Sequence, residues 1–372
     1  LGRVEAARHG VRLNTDAIDN SAGVDTSDHE VNIKIATGAA IEGGALARDD
    51  RDPLLFSMTD EVAALVLRHN YQQSQAISVA EALAGEEHDR LERFMRALER
   101  QGRLDRGVEF LPDTAAMRAR GLGRQYLTRP ELSVLLAYAK LDLSRAVVES
   151  ELPDDPYFQP LLAGYFPKLA AERFKAEIPQ HRLAREIVAT ELVNRMVNLA
   201  GPLFAHRMRE LASAPLWTTA RAYALVEGAF GLEALKARIA ALDLKVPAAV
   251  QTGMIADIGQ LLRRLGLWFM VHLPANADIG ETVAAYKGGF EALKGRFSKL
   301  VSALEARGVE SVPRDDRSLD VEGGDLPHPV VQAHHGADDR VFDPVAPGAG
   351  MRRVEHGAAA FVLEDLSDSL GG

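Results

Sequence analysis

Between residues 53 and 306 apolar side chains recur at three- and four-residue spacing, run after run, and nowhere alternate as a half-buried strand would. That pattern restricts this stretch to packed helices. Glu86–Arg100 repeats apolar positions at Leu91, Phe94, Met95 and Leu98, with Gly102 as the expected stop. Thr59 is expected to cap the run Asp60–Leu67, whose first turn holds acids where the helix dipole favours them. Thr128-Arg-Pro-Glu131 predicts a capping box with proline in the first turn, opening a helix that runs to about Ser150, before Pro153 and Pro156. Further helices are predicted at about 180–200, 203–212, 216–229, 232–241, 247–272 and 279–306. Aromatic residues are only 6% of the chain against 47% hydrophobic, so the core must rest on Leu, Ala and Val, which suit helices.

The two ends read differently. Residues 1–45 are rich in Gly, Asp and Asn around one apolar piece, Val11-Arg-Leu13, read as a short strand, then a turn, then a helix from about Val24. Residues 308–372 collect Pro, Gly, Asp and His with few periodic apolar positions, and Ala358–Leu363 is the sole candidate element. This tail is expected to be disordered or poorly packed, and is hypothesised to be a frame-shifted or mispredicted reading of GC-rich coding sequence. The expected organisation is therefore mainly α: a first segment at 1–45, a multi-helix domain at 46–307 and a low-order tail at 308–372.

A net charge of −10 argues against nucleic acid as the main partner, since phosphate binding needs a basic footprint. The absence of cysteine excludes disulfides, thiolate metal sites and a cysteine nucleophile, and fits a cytoplasmic location. The most apolar run, Leu265–Leu273, is far short of the roughly 20 residues that span a bilayer, so no membrane is expected. Leu1–Arg8 lacks the apolar run of a signal peptide and an initiator Met, so the chain is expected to begin inside a longer protein.

Asn20-Ser-Ala-Gly-Val-Asp-Thr-Ser27 is the segment best suited to hold a ligand. Asn20 offers a donor and an acceptor. Gly23 permits positive φ or close backbone approach. Thr26 and Ser27, placed at or near a first helical turn, could hold a carboxylate beside free N–H groups. The plain alternative is an ordinary turn in which Asp19 or Asp25 caps a helix. His29 is surrounded by Asp25, Asp28 and Glu30, but no second histidine stands at ligand spacing and the acids have a sufficient dipole explanation, so no metal site is expected. Lys140 and Lys245 are expected at the surface or at helix ends. His181, His206 and His272 read as packing or surface residues, and Gly121-Leu-Gly123 lacks the strand and third glycine of a phosphate loop.

The stretch Asn14–Ile35 resembles the large bacterial NAD-specific glutamate dehydrogenases. Ordinary glutamate dehydrogenases carry Asn-Ala-Gly-Gly-Val-Thr-x-Ser at the end of the nucleotide domain; the large class has a variant followed by Asp-His-Glu-Val-Asn-Ile-Lys, as residues 28–34 read here. Similar blocks continue at Met58–Leu67, Phe94–Glu99, Leu127–Leu132, Leu135–Lys140 and Lys245–Gln251, so the resemblance covers about residues 8–300. Thr26 departs from the family's cysteine.

The resemblance implies that residues 1–45 are the C-terminal edge of a Rossmann-like α/β domain. Asn20, Ser21 and Gly23 would then lie at the NAD site, and Ser27 would bind a substrate carboxylate. The family's catalytic lysine and aspartate lie upstream, so no catalytic residue is assigned here. The implied whole is a cytoplasmic homo-oligomer converting L-glutamate to 2-oxoglutarate and ammonia, with this chain inactive without its N-terminal portion. The competing reading is a non-catalytic helical module serving oligomerisation or regulation.

Overall fold

Leu132, Leu135, Leu136, Ala139, Leu143 and Val147 are all buried, which is one face of a helix followed for four turns. They belong to one of sixteen α-helices in a computed structural model that describes residues Gly2–Glu305, with side chains through Ala292. The helices run α1 Gly2–Arg8, α2 Asp16–Asp19, α3 Ala22–Glu42, α4 Arg51–Ser57 and α5 Thr59–Leu83. Then come α6 His88–Arg100, α7 Thr114–Leu122, α8 Arg129–Val148, α9 Gln159–Tyr165, α10 Lys168–Arg173 and α11 Ala184–Ala200. The last are α12 Phe204–Ala212, α13 Trp217–Phe230, α14 Leu232–Ala240, α15 Ala248–His272 and α16 Ile279–Glu305.

The described residues fall in two units: residues 2–288 in one compact unit, and residues 289–305, the rest of α16, in a second. In the first unit α11 is the centre, packed against α5, α8, α9, α13 and α15. Its buried positions run almost all the way round, from Ile187 to Leu199, as a helix with neighbours on every side requires. Among the described residues no helix is long and apolar enough to cross a membrane.

The helical reading holds. Leu91, Phe94, Met95 and Leu98 of α6 are all buried, and Gly102 ends the chain's turn at φ +65°. At the start of α8, the buried Glu131 carboxylate accepts from the Thr128 backbone N–H at 2.7 Å and from its hydroxyl at 2.8 Å. Thr59 does not cap α5: it is the first helical residue, and its hydroxyl donates to the Phe56 carbonyl at 2.9 Å, at the close of α4.

No strand occurs among the described residues, so the strand expected at Val11–Leu13 is not formed. A strand needs a neighbour to accept and donate its ladder hydrogen bonds, and no described segment offers one. Residues 11–15 instead run as non-helical chain tied down by side chains: Asn14 is buried, and its amide nitrogen and backbone N–H donate to Asp19 at 2.8 and 3.1 Å. The tail 308–372, including Ala358–Leu363 and His334-His335, lies outside the described residues.

Candidate functional site

The chain Asn14–Ile35 enters as the tied segment, turns through α2 and becomes α3. Arg3 holds the turn from one side, donating to the Asn14 carbonyl at 3.0 Å and pairing with Asp16 and Asp19. Asn70 of α5 holds it from the other, donating to the Ile18 carbonyl at 2.8 Å and to the Ser21 hydroxyl at 2.9 Å. Ile18, buried beneath, is the apolar peg of the turn.

Helix α3 has two unlike faces. Gly23 and Ser27, four residues apart, share the outward face with Glu30 and with Val24 and Val31, which are 70% and 50% exposed. Asn20 is exposed just before it, and Ser21, half-buried, stands at its N-cap position. Asn20, Gly23 and Ser27 are thus brought together along one exposed edge, whereas Ser21 faces α5, where its hydroxyl accepts from Asn70. Two local expectations change. Gly23 has ordinary helical φ, so no positive φ calls for glycine there, and a Cβ would meet nothing within 4 Å. Thr26 and Ser27 lie beyond the first turn, so the unpaired N–H groups at the start of α3 belong to residues preceding them.

The inward face carries a polar cluster that spacing along the sequence does not show. His29 is fully buried, its ring stacked on Tyr165 at 4.4 Å between centroids, and neither ring nitrogen has a hydrogen-bond partner. Leaving such a buried polar group unpaired costs roughly 1–3 kcal/mol. Burial, its largest influence, pushes the His29 pKa down despite the nearby Asp25 carboxylate, so the ring is a neutral imidazole. His69 of α5 approaches from across the helix pair: its Nδ1 lies 2.9 Å from Asp25 Oδ2, and His29 Nε2 lies 3.8 Å from Asp25 Oδ1. The missing second histidine is therefore present, on another helix and 44 residues from Asp25. Its signal in the sequence is the run His69-Asn-Tyr-Gln-Gln-Ser-Gln75, polar residues mostly half-buried inside a helix.

Lys140 is not a surface or helix-end lysine. It sits well inside α8, half-buried, with Nζ donating to Gln73 Oε1 at 3.3 Å. Burial, with Lys236 adding repulsion against the attraction of Asp25 and Glu191, pulls its pKa down to about 7. Lys245 is exposed between α14 and α15, as expected.

The profile of the family described as "Glutamate dehydrogenase, C-terminal" matches residues 124–324, more than half of the chain. The chain belongs to the glutamate dehydrogenase C-terminal family. A second family, "Bacterial NAD-glutamate dehydrogenase, catalytic domain", matches residues 1–80, which contain the whole α3 edge. Curated proteins named NAD-specific glutamate dehydrogenase are similar along most of this glutamate dehydrogenase segment. The one from Halomonas elongata is 44% identical over 72% of the chain and 17% of its own length. That from Pseudomonas aeruginosa is 40% identical over 81% of the chain and 19% of its length, and that from Mycobacterium tuberculosis 37% over 86% and 19%. The chain thus spans under a fifth of the length of these relatives.

Proposed function

We propose that this chain is the C-terminal part of a cytoplasmic NAD-dependent glutamate dehydrogenase, a homo-oligomer that oxidatively deaminates L-glutamate to 2-oxoglutarate and ammonia. In this reading residues 1–45 are the closing edge of the Rossmann-like nucleotide domain and residues 46–307 the helical domain that supports it. The observation that carries the proposal is the outward face of α3. Of the four residues that the family pattern assigns to ligands, Asn20, Gly23 and Ser27 lie exposed on one side of the segment that the catalytic-domain family matches, while Ser21 is turned inward to Asn70.

The residues present fit an NAD site's edge. Open space over Gly23 lets a flat group lie against the backbone, and Asn20 at the end of α2 can both donate to and accept from a carboxamide. NAD, when bound, supplies the hydride acceptor for oxidation at the α-carbon of glutamate. This chain's own part is orientation: Ser27 would donate a hydrogen bond to a glutamate carboxylate, and Val24 and Val31 would pack against the rest of the enzyme and keep water from the site. Proton transfer falls to groups that the family places upstream of residue 1.

Steady-state NADH formation with L-glutamate tests the proposal, measured for the complete enzyme and for residues 1–372 alone. The complete enzyme should turn over and the segment alone should not. NADH production by the segment, or a complete enzyme inert toward glutamate, would overturn it.

A further inference from the structure

The inward face of α3 brings together Asp25, His29 and His69, one potential ligand atom from each, all within 4.8 Å of one another. We infer that these three side chains form a divalent transition-metal site that clips α3 to α5. Three independent features point there. Asp25 and His29 are four residues apart, which places both on the same side of one helix turn. His69 comes from the neighbouring helix with Nδ1 already 2.9 Å from the carboxylate. His29 is wholly buried, and its Nε2, with no partner of its own, faces the Asp25 carboxylate at 3.8 Å. Stacking on Tyr165 accounts for where the ring lies but satisfies neither nitrogen.

The donor set selects the ion. Two imidazoles and one carboxylate suit Zn²⁺ and its neighbours in the first transition row, whereas Mg²⁺ and Ca²⁺ prefer oxygen alone. A tetrahedral Zn²⁺ would stand about 2.0–2.2 Å from imidazole and carboxylate donors. Three protein ligands leave one position for water. The ion would join the end of the catalytic-domain segment to the first long helix after it and fix the angle at which the exposed edge is presented. This site is separate from the outward face and does not depend on the glutamate dehydrogenase reading.

The test uses the full 372-residue chain, freed of metal by chelation and titrated with Zn²⁺ and with Co²⁺. The variants are His69→Gln and Asp25→Asn, both at partly exposed side chains, and His334→Ala/His335→Ala, which removes adventitious binding in the tail. The expected result is one Zn²⁺ per chain, a visible absorption band of four-coordinate Co²⁺, and a metal-dependent rise in Tm. His69→Gln and Asp25→Asn should each weaken binding at least tenfold and abolish both the band and the Tm rise, while the tail variant keeps all three. Binding unchanged by His69→Gln and Asp25→Asn, binding lost with the tail histidines, or no Zn²⁺ bound more tightly than about 1 mM would each overturn the inference.

Discussion

Arg129 Nε donates a 3.0 Å hydrogen bond to Asn14 Oδ1, joining residues 115 positions apart. The first helical residue of α8 thereby holds the first residue of the site stretch. The same guanidinium donates to Ser78 Oγ at 3.0 Å and pairs with Glu81 at 2.8 Å, so the N-terminal turn, α5 and α8 meet at one buried cation.

Arg129→Met should therefore destabilise the chain by about 2–4 kcal/mol, since it leaves Asn14 and Ser78 without their donor in a buried setting. The value is kept below that of a fully buried pair because Glu81 remains partly exposed. Urea unfolding measures it, and a change under about 0.5 kcal/mol would place Arg129 among ordinary surface residues.

Gly228 marks a close crossing of α13 with the turn at Tyr157 and the start of α16. A Cβ there would collide with the Tyr157 hydroxyl and come within 2.7 Å of Val283 Cγ2. Gly228→Ala gains helix propensity of about 1 kcal/mol but overpacks this crossing at a cost of about 1–3 kcal/mol, so a net loss of stability is expected. Tyr157→Phe in the same chain should recover part of it. A stabilised Gly228→Ala would contradict the crossing.

Glu227 accepts the Glu233 backbone N–H at 2.9 Å, at the start of α14. Burial, helped by the Glu233 charge and partly offset by that N–H, raises its pKa from 4.5 to about 7. A carboxyl with a folded pKa above its unfolded one holds more protons when folded. Its contribution is thus full below pH 4.5 and lost as pH rises through about 7. Allowing for its partial exposure, the loss is about 1–2 kcal/mol. Glu227→Gln should raise stability at pH 8, change it little at pH 4, and flatten the slope between. An unaltered slope in urea titrations across this range would remove the assignment.

The longer helices α5, α6, α8 and α11 to α16 were legible in the sequence because each element's own residues decide it, whereas the short α7, α9 and α10 were not. The buried set Leu91, Phe94, Met95 and Leu98 is a period, and Thr128–Glu131 is a local reciprocal cap. Val11–Leu13 was not legible, since whether a short apolar piece becomes a strand depends on a partner elsewhere. The exposed edge could be assembled from neighbours in sequence, Asn20 to Ser27. The Asp25–His29–His69 cluster could not, because it exists only once α5 packs on α3. Lys140 misled for the same reason: its burial is set by the helices packed around α8, and the Lys236 charge that adds to its lowered pKa comes from α14, not from its own place in α8.

Ser27→Ala in the complete enzyme tests the central claim most directly. Ser27 is exposed on the outward face of α3, so its loss should leave Tm unchanged. A hydrogen bond to a charged carboxylate is worth about 1.5–3 kcal/mol, which is roughly a tenfold to hundredfold fall in kcat/KM for glutamate. That fall, with stability intact, is the expected result; a kcat/KM equal to that of the unaltered enzyme would show that this edge is not a wall of the glutamate site.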